Sequence, residues 1–222
     1  MNNLFSFGCS LTYGYGFEDN WDSNNNRPFD CSPSKKAWPF LLANMLNYNC
    51  INLAQPGASN KEILYILEEN IDRISTDDLV VIKWSFADRI GFKDKDSTSE
   101  RVGKNFSTHS QSGGRGKDNS MWLQWLENFS TEEDNLWMSR IFIDYATLLL
   151  KQKSITAYHF YSCQDIRNLD FKFAKLDNID NIDFSLHSLR KFPASPLCKD
   201  HPGEEAQYFL ANTKFKLIEE RT

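Results

Sequence analysis

The first residues able to do chemistry come almost at once. Leu4, Phe5 and Phe7 form a short apolar run that stops at Gly8; Ser10 follows two residues later, with Gly14 and Gly16 close behind. An apolar run closed by glycine reads as a strand entering a tight turn. In an open α/β sheet ligands bind beyond the carboxyl ends of the strands, so a hydroxyl there is placed to act on a substrate. A serine hydroxyl becomes a useful nucleophile once a base within hydrogen-bond reach takes its proton, and histidine does this near neutral pH. An ordinary Ser/Gly turn fits the same stretch, and the rest of the chain decides between the two.

The elements that would hold Ser10 in place follow in order. Trp38, Leu41, Leu42, Met45 and Leu46 have the spacing of one helix face, with a stop at 47–49. Cys50, Ile51 and Leu53 predict a second short strand, ending in Ala54-Gln-Pro-Gly57. Ser59 or Asn60 caps the next helix, whose buried stripe is Ile63, Leu64, Ile66, Leu67 and Ile71. Leu79 to Ile82 is a continuous apolar run suited to a strand buried on both faces.

Thr131 or Ser130 starts a helix continuing from Leu136 to Leu150, Ile155 to Tyr161 reads as a strand, and Glu204 to Ile218 as a terminal helix. Alternating strands and helices predict an α/β fold, a three-layer α/β/α sandwich around a mainly parallel sheet with right-handed crossovers.

Between these elements the pattern weakens. The polar stretch from Gly16 to Lys36 reads as a loop at the sheet edge that carries Ser10. A long loop insertion is expected around 93–120, which is charged, Gly/Ser-rich and almost free of aliphatics. Trp122, Trp125, Leu126 and Phe129 fall at helical spacing and predict a short amphipathic helix on the core. Residues 165–189 are poorly patterned, with a short strand expected near Ile182 to Leu186. No repeat or linker divides the chain, so 1–222 is expected to be a single domain.

Composition removes several function classes. A 222-residue chain with 41% hydrophobic residues can bury a substantial core. A formal charge of -5 argues against nucleic-acid binding, which leaves a basic footprint. Five dispersed cysteines with no CxxC pair read as reduced thiols, and Cys9 as a small buried hydrophobe. No apolar run is long enough to span a membrane and no signal peptide is seen, so a cytoplasmic location is expected. His159 lies in a predicted strand as a core or edge residue, and His109 and His187 in weakly patterned segments. None has metal-ligand spacing, so no metal and no cofactor are expected. Neither GxxxxGK[ST] nor GxSxG occurs.

Three short motifs then line up. Gly8-Cys-Ser10-Leu-Thr12 resembles the first block of the SGNH/GDSL hydrolases, with Cys9 where the family has aspartate. Asn52-Leu-Ala-Gln-Pro-Gly57-Ala-Ser-Asn60 is similar to the second block, and Asp200-His201-Pro202 to the last. The resemblance implies a flavodoxin-like architecture, Ser10 as nucleophile and His201 as base. It assigns the oxyanion donors to the backbone N–H groups of Ser10 and Gly57 and to an asparagine of the third block.

That asparagine is absent: the segment after the third strand reads Lys83-Trp-Ser85-Phe-Ala-Asp-Arg89. Ser85 is the nearest equivalent. Arg89 could instead stabilise charge, hold a substrate carboxylate, or form a surface salt bridge. The family's orienting aspartate lies three residues before the histidine, where this chain has Cys198. Asp200, reaching the imidazole through a special turn, is one candidate orienter. A backbone carbonyl serving a Ser–His dyad is the other.

The implied function is a serine esterase, acetylesterase-like, cleaving a small ester such as a carbohydrate O-acyl group. Ser10, His201 and Asp200 would be catalytic; Gly57, Ser85, Asn60 and Arg89 would line the oxyanion or substrate side. A small-molecule or glycan ester is the expected partner, with neither nucleic acid nor membrane. The 93–120 loop and the Trp122/Trp125 pair would shape the substrate side. The alternative is a binding protein that keeps the fold without the catalysis.

Overall fold

Every residue of the third core strand is buried, and the sheet is assembled around it and the N-terminal strand. The computed structural model describes residues 2–22, 27–28, 32–93, 106–109, 128, 130–162, 164–173, 189 and 191–220. Its strands are β1 (Asn3–Phe7), β2 (Trp21–Asp22), β3 (Arg27–Pro28), β4 (Asn49–Asn52), β5 (Leu79–Trp84), β6 (Ile90–Lys93), β7 (Phe106–His109) and β8 (Thr156–Tyr161). Its helices are α1 (Ser10–Tyr13), α2 (Trp38–Leu46), α3 (Asn60–Asn70), α4 (Glu132–Gln152), α5 (Gln164–Arg167) and α6 (Glu204–Glu219).

Four strands form one parallel sheet in the order β4-β1-β5-β8. The chain moves outward from β1 to β4 and returns past β1 to β5, so right-handed crossovers put successive helices on opposite faces. α2 packs with α6 on one face and α3 with α4 on the other. This is the three-layer α/β/α sandwich predicted from the alternation of elements. Its order reverses between β1 and β5, and ligands of open α/β sheets bind at such a switch point. Ser10 lies at the carboxyl end of β1.

Local signals explain the boundaries. Asn47 ends α2 in the left-handed conformation (φ 58°), which asparagine tolerates better than most residues. The Ser59 hydroxyl accepts the Glu62 N–H and caps α3, a contact worth about 1 kcal/mol. Thr131 caps α4 in the same way through Asp134. The core is continuous from Phe5 and Phe7 to Trp38, which meets Phe160 edge-on at 6.1 Å.

Two expectations change. The segment expected as one long loop from 93 contains Phe106–His109, which pairs antiparallel with β6, so His109 belongs to a strand. The Gly16–Lys36 stretch contains a 3-10 turn (Glu18–Asn20) and the short β2–β3 ladder rather than loop alone. The Trp122/Trp125 helix, the strand near Ile182 and His187 lie outside the described residues. Among the described residues, no helix is long and apolar enough to cross a membrane, and no group of three or more His, Cys, Asp or Glu is set to hold a metal ion.

Candidate active site

Ser10 opens α1, a single turn directly after β1. Cys9 is extended (φ -102°, ψ -158°), and its carbonyl accepts the N–H groups of Thr12 and Tyr13 at 3.0 Å each. The turn is tight enough that a Cβ on Gly8 would come within 2.8 Å of Thr12 Cβ. Glycine is therefore the residue that fits there.

His201 reaches this turn from the other end of the chain. Its Nε2 lies 2.8 Å from Ser10 Oγ. The loop that carries it closes on itself: Gly203 N donates to Pro193 O at 2.8 Å, and Ser195 N to His201 O at 2.7 Å. The loop is also pinned to the serine side. Leu197 N donates to Gly16 O at 3.2 Å, and the buried Ser195 hydroxyl lies 3.1 Å from the same carbonyl. Gly16 has φ +91°, and a Cβ on it would stand 2.6 Å from Cys198 Cβ. Tyr15 lies against the imidazole at 5.0 Å between ring centroids, tilted by 37°.

The other imidazole nitrogen meets sulfur. Cys198 Sγ is 3.1 Å from His201 Nδ1. Neither candidate orienter, Asp200 or a backbone carbonyl, occupies that position. A residue directly preceding histidine projects to another side of the chain, and Asp200 acts on the ring through its charge. Burial and the Arg89 guanidinium hold the His201 pKa below its ordinary value, while Asp200 pulls the other way. Burial also pushes the Cys198 thiol up, and the Asp200 charge adds to that rise. The sulfur therefore stays a neutral thiol at neutral pH.

The second-block loop runs beside the serine turn. Leu53 N donates to Ser6 O at 2.8 Å, Gln55 N to Gly8 O at 3.0 Å, and Asn52 Nδ2 to Thr12 O at 2.8 Å. Gln55-Pro56-Gly57-Ala58 closes with Ala58 N donating to Gln55 O, with Gly57 at φ +74° as a turn of this kind demands. The turn that carries Gly57 is thus pinned to Gly8 through Gln55.

Asn60 and Ser85 are joined at the end of β5. The Asn60 amide is spent on structure: Oδ1 accepts Ser85 N at 2.7 Å and Nδ2 donates to Ser139 Oγ at 3.0 Å, all buried. Ser85 is itself fully buried, and its hydroxyl accepts from Arg89 at 3.1 Å. Asn60 thus holds the end of β5 through Ser85 N, and the Ser85 hydroxyl holds Arg89.

Arg89 is partly exposed, lies over Phe86 at 4.9 Å, and lines a cavity of about 310 Å³ with Asn60, Asp134, Met138 and Phe142. Ser10 and His201 are not among the residues lining that cavity. Its charge nonetheless reaches His201.

Cys9 is buried as expected, but its surroundings are not wholly apolar. Burial pushes its thiol up, yet Arg89, Lys83 and hydrogen bonds from Leu11 and Ser85 outweigh this and lower its pKa. Lys83 is fully buried and donates to Tyr161 O and Ser162 Oγ, each at 3.1 Å. His159, a core residue, accepts from Trp84 Nε1 at 3.0 Å on Nδ1.

Sequence reasoning did not single out Tyr15, Gly16, Ser139 or Ser195 as part of this site. Of these only Gly16, in a glycine-rich turn, carried any signal.

No family model and no curated protein sequence matches the chain. Solved structures do. The chain is similar to a lipolytic protein of the G-D-S-L family from Desulfitobacterium hafniense DCB-2 (TM-score 0.53, 10% identity, covering 98% of this chain and 99% of that one). It is also similar to the psychrotrophic esterase EstA from a Pseudoalteromonas species (TM-score 0.54, 10% identity, 99% and 98% covered). A third match is a carbohydrate esterase whose active site displays divergent catalytic and non-catalytic binding functions (TM-score 0.58, 13% identity). The match takes in 99% of this chain, which spans 65% of that esterase's length. The fold is that of the SGNH/GDSL hydrolases. At such low identity the likeness is one of fold.

Proposed function

We propose that this chain is a serine esterase of the SGNH/GDSL type, acting on a small ester through an acyl-enzyme on Ser10. The observation that carries the reading is the 2.8 Å contact between Ser10 Oγ and His201 Nε2. Carbohydrate O-acyl groups are the substrate class we favour, because one structural neighbour is a carbohydrate esterase and another an acetyl xylan esterase.

His201 Nε2 takes the hydroxyl proton as Ser10 Oγ bonds to the acyl carbon. The tetrahedral oxyanion collapses, the C–O bond to the leaving alcohol breaks, and that alcohol takes the proton from Nε2. Water then repeats the sequence, releasing the acid and restoring Ser10. Backbone N–H groups of Ser10 and Gly57 are the donors for the oxyanion, each worth roughly 3 to 4 kcal/mol. Arg89 adds positive charge on the substrate side, Asn60 and Ser85 hold it there, and Asp200 tunes the base from its exposed position.

Labelling with a fluorophosphonate tests the reading. Wild type is expected to label, and Ser10→Ala and His201→Ala to abolish the label while keeping a native circular dichroism spectrum. A folded wild type that does not label would turn the reading toward a non-catalytic carbohydrate-binding protein.

A further inference from the structure

We propose that Cys198 is the positioning residue of this site: its sulfur accepts the Nδ1–H of His201 and so leaves Nε2 open to the Ser10 hydroxyl. This rests on the esterase reading above and assigns the group that makes His201 a base.

A neutral imidazole carries one ring hydrogen. If it sits on Nε2, that nitrogen cannot take the serine proton. The 3.1 Å approach of Cys198 Sγ to Nδ1 favours the useful tautomer when sulfur acts as acceptor. The loop supplies reasons for that role. The backbone N–H groups of Asp200 and His201 act to lower the Cys198 pKa, as donors near an acceptor sulfur do, although burial outweighs them.

The sulfur's position is fixed from both sides. Cys198 N donates to Ser195 Oγ at 3.1 Å, and Cys198 O accepts His201 N at 3.1 Å. Only a glycine at 16 leaves room for the Cys198 Cβ. The chain Ser10–His201–Cys198 is therefore held at both joints.

A thiol in this place orients without charging. When His201 becomes imidazolium, a neutral sulfur offers it a weak dipole where a carboxylate would offer a full negative charge. The other groups facing the ring are Arg89 from the segment after β5, Asp200 from its own loop, and the Tyr15 ring after α1. The structure thus describes a correctly oriented but weakly supported base, and replacing sulfur by carboxylate should strengthen it.

The test measures the rate constant for fluorophosphonate labelling across the range in which histidine titrates, for wild type, Cys198→Ala, Cys198→Ser and Cys198→Asp. Cys198→Ala is expected to slow labelling about tenfold or more, a fraction of the loss known when an orienting group forces the wrong tautomer. Cys198→Ser, whose hydroxyl can still accept, should recover part of that loss. Cys198→Asp should label faster than wild type, with its acid limb moved to higher pH, because a carboxylate stabilises the imidazolium. A purely structural cysteine would not move that limb.

The proposal is overturned if folded Cys198→Ala keeps the wild-type rate and pH profile. It is equally overturned if folded Cys198→Asp is no faster than Cys198→Ala. Should Cys198→Asp fail to fold, equal rates in the Ala and Ser variants would count against it and partial recovery in Ser for it. A wild type that fails to label, or Ser10→Ala that still labels, strikes the esterase reading instead.

Discussion

Ser10 Oγ and His201 Nε2 meet at 2.8 Å although 191 residues of chain separate them. The sheet alone does not bring them together, since neither residue lies in a strand. Their approach depends on the His201 loop being closed upon itself and tied to Gly16, and on α6 being tied to the first helices. Gln207 Oε1 accepts Trp38 N at 2.9 Å, and Lys36 Nζ contacts Glu204 at 2.5 Å. Each of these contacts can be altered separately.

Replacing the charges around the base should move the activity profile in opposite directions. The proposed reaction needs neutral His201, so labelling is expected to rise as pH climbs through its pKa. Arg89 lowers that pKa and Asp200 raises it. Arg89→Gln should therefore shift the acid limb to higher pH and Asp200→Asn to lower pH, read from rate–pH profiles of the two variants. Shifts of the same sign would refute this account of the site's field.

Gly16→Ala should damage the site more than the fold. The new Cβ would occupy a positive-φ position 2.6 Å from Cys198 Cβ, so the His201 loop must move. A loss of about 1 to 3 kcal/mol is expected. Denaturant titration measures that loss, and the labelling rate should fall by a larger factor than the change in folded fraction explains.

Asn60→Ala removes the acceptor for Ser85 N and the donor to Ser139, both inside the protein. Leaving a buried N–H without its partner costs about 1 to 3 kcal/mol. The midpoint of urea unfolding should fall accordingly. Labelling should slow as well, because Arg89 is held by the Ser85 hydroxyl on the same segment. A midpoint equal to wild type would remove Asn60 from this role.

His159 should make the fold acid-sensitive. Burial holds its pKa down to about 4, below the ordinary 6.5 expected of an unfolded chain. Between those values the unfolded chain binds the extra proton, so its stabilising share is full above 6.5 and is lost as pH falls toward about 4. The linkage amounts to about 3 kcal/mol at most. His159→Gln keeps an acceptor for Trp84 Nε1 and should flatten the dependence of unfolding free energy on pH across that window. An unchanged slope would show that other groups govern it.

The framework was legible because its signals are local. The apolar face of Trp38, Leu42 and their neighbours, the β-branched run at β5 and the Ser59 cap each read directly from spacing and type. Ser10, Gly57 and His201 were visible as motifs at strand ends and a helix start. The fate of Asn60 was not, because an amide at a helix start gives no sign of a partner 25 residues away. Cys198 was visible only as the wrong residue in the acid's place. Its contact with Nδ1 depends on a loop whose closing bonds join Pro193 to Gly203 and Ser195 to His201, and no periodicity announces such a loop. The β6–β7 pair escaped for a similar reason: Ile90-Gly-Phe-Lys93 and Phe106-Ser-Thr-His109 are short, and a polar stretch without an Asn-Gly or Asp-Gly turn separates them.

The ties between α6 and the start of the chain also set an order of events during synthesis. Translation delivers Ser10 before His201, which follows 191 positions later, and domains acquire structure as the chain emerges. Until Gln207 and Glu204 have docked on Trp38 and Lys36, Ser10 is a simple alcohol at the end of a strand. On the proposed mechanism, a product truncated before His201 is expected to escape fluorophosphonate labelling however much of its sheet has formed.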